Sequence, residues 1–164
     1  MSVRIVRTFA FLDLCGFTAH MDDRGDDVAA ETLARLRTSV RRATERHGVR
    51  VAKWLGDGSM LVAVESASLL DCLDDIWADV PSRLQLPLRG GMAAGEVLIF
   101  EGDDYVGHAV NLAARLCAIA QPGQVLATDG CDPDGGPVRP LHVRGVAAPV
   151  RVRQLHDLRH SVAS

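Results

Sequence analysis

No apolar run in this sequence approaches the ~20 residues that a membrane-spanning helix needs, so none is expected to cross a bilayer. The opening stretch, MSVRIVRTFAFLDL, has only a short apolar run and no small-residue cleavage site after it. It reads as a first strand rather than a signal peptide. Positive charge is not in excess: 18 Lys and Arg against 21 Asp and Glu give a net charge of −3, which argues against a basic nucleic-acid-binding surface. Cys15, Cys72, Cys117 and Cys131 show neither CxxC nor Cys/His zinc spacing, as expected of reduced thiols in a cytoplasmic protein. Internal repeats and low-complexity segments are also missing. What remains is an ordinary soluble balance, 48% hydrophobic and 24% charged, in a length that suits one domain over residues 1–164.

Residues 3–14 are β-branched and aromatic, with a continuous FAFL, and read as a buried central strand. The chain then turns at Gly16. Residues 28–47 place Ala29, Leu33, Leu36, Val40 and Ala43 on one helical stripe, and Gly48 reads as its cap. The arginines between Arg35 and Arg50 and the acids between Asp22 and Asp27 read as solvated helix faces. VRVAKWL and SMLVAV are strands joined by Gly-Asp-Gly into a hairpin. Residues 67–80 carry Leu69, Leu70, Leu73, Ile76, Trp77 and Val80 at helical spacing, with Pro81 as the expected stop. LPLRGGMAAGEVLIF is a fourth extended segment whose glycines predict a bulge or a close backbone approach. VGHAVNLAARLCAIA is a short helix and GQVLAT a short strand. Residues 129–140 are loop-like, and HVRGVAAPVRVRQL reads as a last strand pair joined near Ala147, Ala148 and Pro149. The order predicts an α+β fold: a ferredoxin-like βαββαβ core, a mainly antiparallel sheet and additional αβ elements.

The stretch KWLGDGSML, at 53–61, carries two meanings. Asp-Gly between strands is a strong hairpin signal, so Asp57 reads as a turn residue. Asp13, however, also ends a strand beside a Gly turn, in FLDLCGFT. If the hairpin pairs with that strand, both carboxylates emerge at one edge of the sheet. Two hard oxygen ligands suit Mg²⁺, which takes one or two carboxylates and completes its shell with water and substrate phosphates. Backbone N–H groups of Gly16, Phe17 and Thr18, at a helix start, would then face a polyphosphate. Asn111 and Arg115, four apart, share a helix face after the Gly-containing loop GDDYVGH. Spacing alone leaves them as solvated residues or as ligands.

FLDLCGFT, KWLGDGSMLV, RGGMAAGEV, DDYVGHAVNLAARL and QPGQVLAT follow one another in this order. Together they resemble the successive motifs of the class III adenylate/guanylate cyclase catalytic domain, over roughly residues 7–156. One such motif is weak; five in order at sensible intervals are specific. The short chain is similar to stand-alone bacterial cyclase domains, notably those of actinobacteria, and no sensor, membrane or receptor domain is expected within it.

The resemblance implies a cytoplasmic adenylate cyclase acting on ATP with two divalent cations, Mg²⁺ or Mn²⁺. Asp13 and Asp57 match the family's metal-binding aspartates, and Leu14 falls within the same metal-binding set. Asp13 is also a candidate acceptor of the ribose 3′-hydroxyl proton, alongside water or the substrate itself. Lys53 and Asp104 match the base-reading positions. Adenine N1 accepts and its N6 amino group donates, which suits an ammonium and a carboxylate; guanine reverses both, and guanylate-type members place a Glu and a small or thiol residue there. Without the family, a snorkelling strand lysine and a solvated loop aspartate are the plainer readings. Asn111 matches the residue that orients the ribose, and Arg115 the one that stabilises charge on the transferring phosphate. Lys53 and Asp57 stand about 13 Å apart along an extended strand. The family accommodates such a span with a two-fold homodimer, Asp13 and Asp57 coming from one subunit and Lys53, Asp104, Asn111 and Arg115 from the other. Two departures from the family pattern bear on the phosphate end of the site and on the dimer arm. Some members have Gly-Arg-Val where this sequence has Gly95-Glu96-Val97, with Arg144 as a candidate substitute, and the stretch after QPGQVLAT is shorter than usual. A guanylate cyclase, or a cyclase-like module that binds nucleotide without turnover, are the competing expectations.

Overall fold

The computed structural model describes residues 3–132 and 135–155. Residues 1, 2, 133, 134 and 156–164, which the expectation of one domain over 1–164 includes, lie outside the described residues. The first strand, β1 (Val3–Leu14), runs through the middle of the sheet. Its alternation explains the unbroken FAFL. Ala10, Leu12 and Leu14 face one core while Phe9 and Phe11 face another, so both faces are covered.

An eight-residue helix, α1 (Phe17–Arg24), and a long helix, α2 (Asp26–His47), follow. Gly25 separates them and Gly48 ends α2 in the left-handed conformation. Strands β2 (Arg50–Leu55) and β3 (Gly58–Ala63) form the expected hairpin. Helix α3 (Ser66–Leu84) and strand β4 (Leu88–Phe100) complete a βαββαβ unit with strand order β2-β3-β1-β4, antiparallel throughout. This is the ferredoxin-like core. The expected stop at Pro81 is not where α3 ends: Pro81 lies inside its last turn. Leu84 is buried there, and Gln85 closes the helix with a left-handed φ of 57° and its N–H on the Pro81 carbonyl. Proline forfeits one helical bond, and the last turn is held by packing and by that cap.

Strand β5 (Asp104–Val106), inside the expected loop, folds back on the far end of β4. Helix α4 (His108–Ile119) then covers the face that carries Phe9. Strand β6 (Val125–Thr128) pairs parallel with β4, and a 3₁₀ turn follows at Asp129–Cys131. The last pair is β7 (Val138–Leu141) with β8 (Val150–Leu155). Its first strand is therefore VRPL, not HVRGV. Residues 142–149 form the connection, because Gly145 turns at φ 84° and Val143 plugs into the core. Pro140 is tolerated because β7 is a sheet edge. Helices α2 and α3 thus cover one face and α4 the other.

Candidate active site

Register builds the first group of side chains. Asp13 stands opposite Gly58 on β3 and opposite Arg89 on β4. The Leu14 N–H donates to the Asp57 carbonyl at 3.3 Å, which pins the hairpin turn to the end of β1. The two carboxyls are close enough that Asp57 shares a hydrogen bond with Asp13. Burial, then the Asp13 charge and that hydrogen bond, push the Asp57 carboxyl up from 3.8 to about 6. Arg89 opposes this rise: its Nη2 donates to Asp13 Oδ2 at 3.1 Å.

Among the described residues no group of three or more His, Cys, Asp or Glu side chains forms a ready-made metal cage. Two carboxylates that repel each other at a strand end are instead a partial site. That donor set fits a hard divalent cation that draws its other ligands from water and phosphate. The residues present therefore fit the cations the sequence led us to expect. Beside them, Gly16 caps α1 in the left-handed conformation and its carbonyl accepts the His20 N–H at 3.0 Å. The first-turn N–H groups of Phe17 and Thr18 have no partner within the helix. Phe17 is packed against the core while Thr18 is exposed.

Lys53 and Asp104 form a second group. They are brought together across β2 and β5, with Lys53 Nζ 2.9 Å from Asp104 Oδ1 and both side chains about half exposed. Tyr105, next to Asp104 on β5, is anchored in turn. Its ring meets Phe9 edge-on at 5.3 Å, and the Arg50 guanidinium lies over it at 5.5 Å. A short β5 strand, hidden in what the sequence offers as a loop, is what holds Asp104 in place.

Asn111 and Arg115 are both exposed on α4. The helix is positioned by Gly91, where a β-carbon would collide with the Ala113 carbonyl and the Cys117 amide. Arg115 lies directly against Gly145, whose missing side chain makes room for the guanidinium. Arg144 is exposed in the same turn. Glu96 is bonded to Arg4 at 2.9 Å, across the pair of β1 and β4. Arg89, Tyr105 and Gly145 are the residues sequence reasoning missed. For Arg89 the signal is the cross-strand charge pair, which needs the register of β1 and β4. All four cysteines are free, and no described helix is long and apolar enough to cross a membrane.

No family model matches the chain. The pH-sensitive adenylate cyclase of Mycobacterium tuberculosis is 33% identical over 165 residues, covering 90% of this chain and 40% of that protein. Among solved structures, the adenylyl cyclase CyaB from P. aeruginosa superposes with a TM-score of 0.83 at 21% identity, over 98% of each chain. An adenylate/guanylate cyclase/hydrolase from Silicibacter pomeroyi gives 0.79 at 25% identity, over 94% of this chain and 98% of that one. The chain spans about two fifths of the length of the first curated relatives it matches. With the five ordered motifs and the sheet order, these likenesses place the chain in the class III adenylate/guanylate cyclase catalytic-domain family.

Proposed function

We propose that this domain converts ATP to 3′,5′-cyclic AMP and pyrophosphate, at sites shared between two copies of the chain. The observation that carries the choice of base is the Lys53–Asp104 pair at 2.9 Å. It presents a donor beside an acceptor, the polarity that meets adenine N1 and its N6 amino group. Guanine would face both groups with the wrong partner, leaving polar atoms unpaired.

The remaining residues take roles around that anchor. Asn111 orients the ribose, and Arg115 neutralises charge that develops on the transferring phosphate. A positioned donor of that kind is worth on the order of 10²–10³ in rate. Arg144, in the turn against Arg115, supplies a second cation near the phosphates. The N–H groups of Phe17 and Thr18 face the same chain of oxygens. Asp13 and Asp57, with Leu14 beside them, would hold the divalent cations. Bound there, such ions would offset the triphosphate charge and acidify the 3′-hydroxyl. The reaction is then attack of the 3′-oxygen on the α-phosphorus with pyrophosphate leaving, where positioning and charge supply most of the acceleration.

Purified protein assayed with ATP and with GTP, each with Mg²⁺ and with Mn²⁺, tests the reading. Cyclic AMP is the expected product, with none formed in excess chelator. Changing Lys53 to Glu and Asp104 to Ala should abolish the preference for ATP. Preferential turnover of GTP would make the protein a guanylate cyclase. Nucleotide binding without product would make it a module that does not turn over.

A further inference from the structure

Arg89 takes no part in the chemistry above, yet its guanidinium sits within the carboxylate group. Nη2 donates to Asp13 Oδ2 at 3.1 Å, while Nη1 donates to the Ala118 carbonyl at 2.9 Å. One planar fork is thereby tied at once to a proposed metal ligand and to the end of α4. The base of the side chain is fixed as well, since Asp13 and Arg89 are direct partners across β1 and β4. Their side chains are 29% and 33% exposed, so solvent screens the pair only in part. Arg89 lines two cavities, of about 250 Å³ and about 640 Å³, which leaves the guanidinium room to move.

We propose that Arg89 is a built-in counter-cation of the Asp13–Asp57 site, holding Asp13 when no divalent ion is bound and setting how much free metal is needed to displace it. The inference rests on Asp13 and Asp57 being metal ligands. Two neighbouring carboxylates repel, and a cation against one of them relieves the empty protein. The same cation opposes a divalent ion, because two positive centres then compete for one carboxylate. A guanidinium stays protonated in proteins, so this competition is not lifted by loss of a proton. Displaced from Asp13, the side chain keeps its bond to Ala118 and so remains poised to return.

Direct Mn²⁺ binding to the full chain without nucleotide, followed by electron paramagnetic resonance of the free ion, separates the outcomes. Asp57→Ala tests the ligands: lost binding supports them, whereas binding equal to wild type overturns both that reading and the inference. Arg89→Met and Arg89→Gln test the inference itself. Each should bind Mn²⁺ on the order of tenfold more tightly than wild type, the scale of a partly exposed ion pair. Arg89→Lys keeps the charge and should stay within about threefold of wild type. Unchanged, weaker or absent binding in the neutral variants would mean that Arg89 merely braces Asp13, and the proposal would fall. Melting curves in chelator establish that each variant is folded. Arg89→Gln retains a donor for Ala118 and serves if Arg89→Met does not fold.

Discussion

Asp57 carries a carboxyl that its surroundings make reluctant to ionise, through burial first and the Asp13 charge second. A value raised from 3.8 to about 6 means that the folded protein holds this proton more firmly than the unfolded chain. Stability from the neutral form is therefore complete below the unfolded value and is lost as pH rises through the folded one. In chelator at pH 7, Asp57→Asn should stabilise the protein by about 1–2 kcal/mol, a figure discounted for the carboxyl's partial exposure. The gain should vanish well below pH 3.8, where wild type is protonated in both states. Urea titrations of both proteins at the two pH values measure it, and a gain that is the same at both would contradict the assignment. The same substitution removes a proposed ligand, so it should be more stable without metal and inactive with it.

Helix α4 rests on β4 with no side chain between them at Gly91, and this contact sets where Asn111 and Arg115 stand. Gly91→Ala would push against the Ala113 carbonyl and the Cys117 amide, which are backbone and cannot swing aside. We expect a loss of about 3 kcal/mol in stability and, in the folded fraction, a fall in kcat larger than the change in KM. Calorimetry together with steady-state kinetics separates the two effects. The close approach was legible in the sequence, because RGG interrupts an apolar strand that has no other use for two glycines. So were β1 and the hairpin, read from β-branched and aromatic runs and the Gly-Asp-Gly turn, and α2, whose 3.6-residue periodicity is carried by apolar residues. The end of α3 was not legible, since burial of Leu84 outweighs the proline before it. Nor was β7, where Pro140 argues against a strand unless the edge position is known. Of the partners of Asp13, Asp57 was legible through the hairpin turn, whereas Arg89 is reached only through the register of a strand 76 residues away.

Across the whole molecule the proposed residues fall into separate groups. Asp13, Asp57 and Arg89 cluster at one end of β1, whereas Lys53 and Asp104 meet between β2 and β5. A two-fold dimer would join one chain's first group to the other chain's second. Asp57→Ala and Arg115→Ala homodimers should then each be nearly inactive. In a mixed dimer one site collects both defects and the other is fully wild type. Equal mixing makes about half the dimers heterodimeric, so activity should recover to roughly a quarter of wild type, less if dimers are weak. No recovery after demonstrated subunit exchange would mean that each chain builds its own site. The half-exposed ion pair of Lys53 carries a consequence of another kind. Of the 18 Lys and Arg residues, all but Lys53 are arginine. Amine-directed chemistry, whether acylation, reductive methylation or a fluorescent label, therefore has one side chain to find in this protein, and it is the one proposed to read the base. A procedure that elsewhere decorates many side chains would here be directed, among side chains, at the one lysine proposed to read the base.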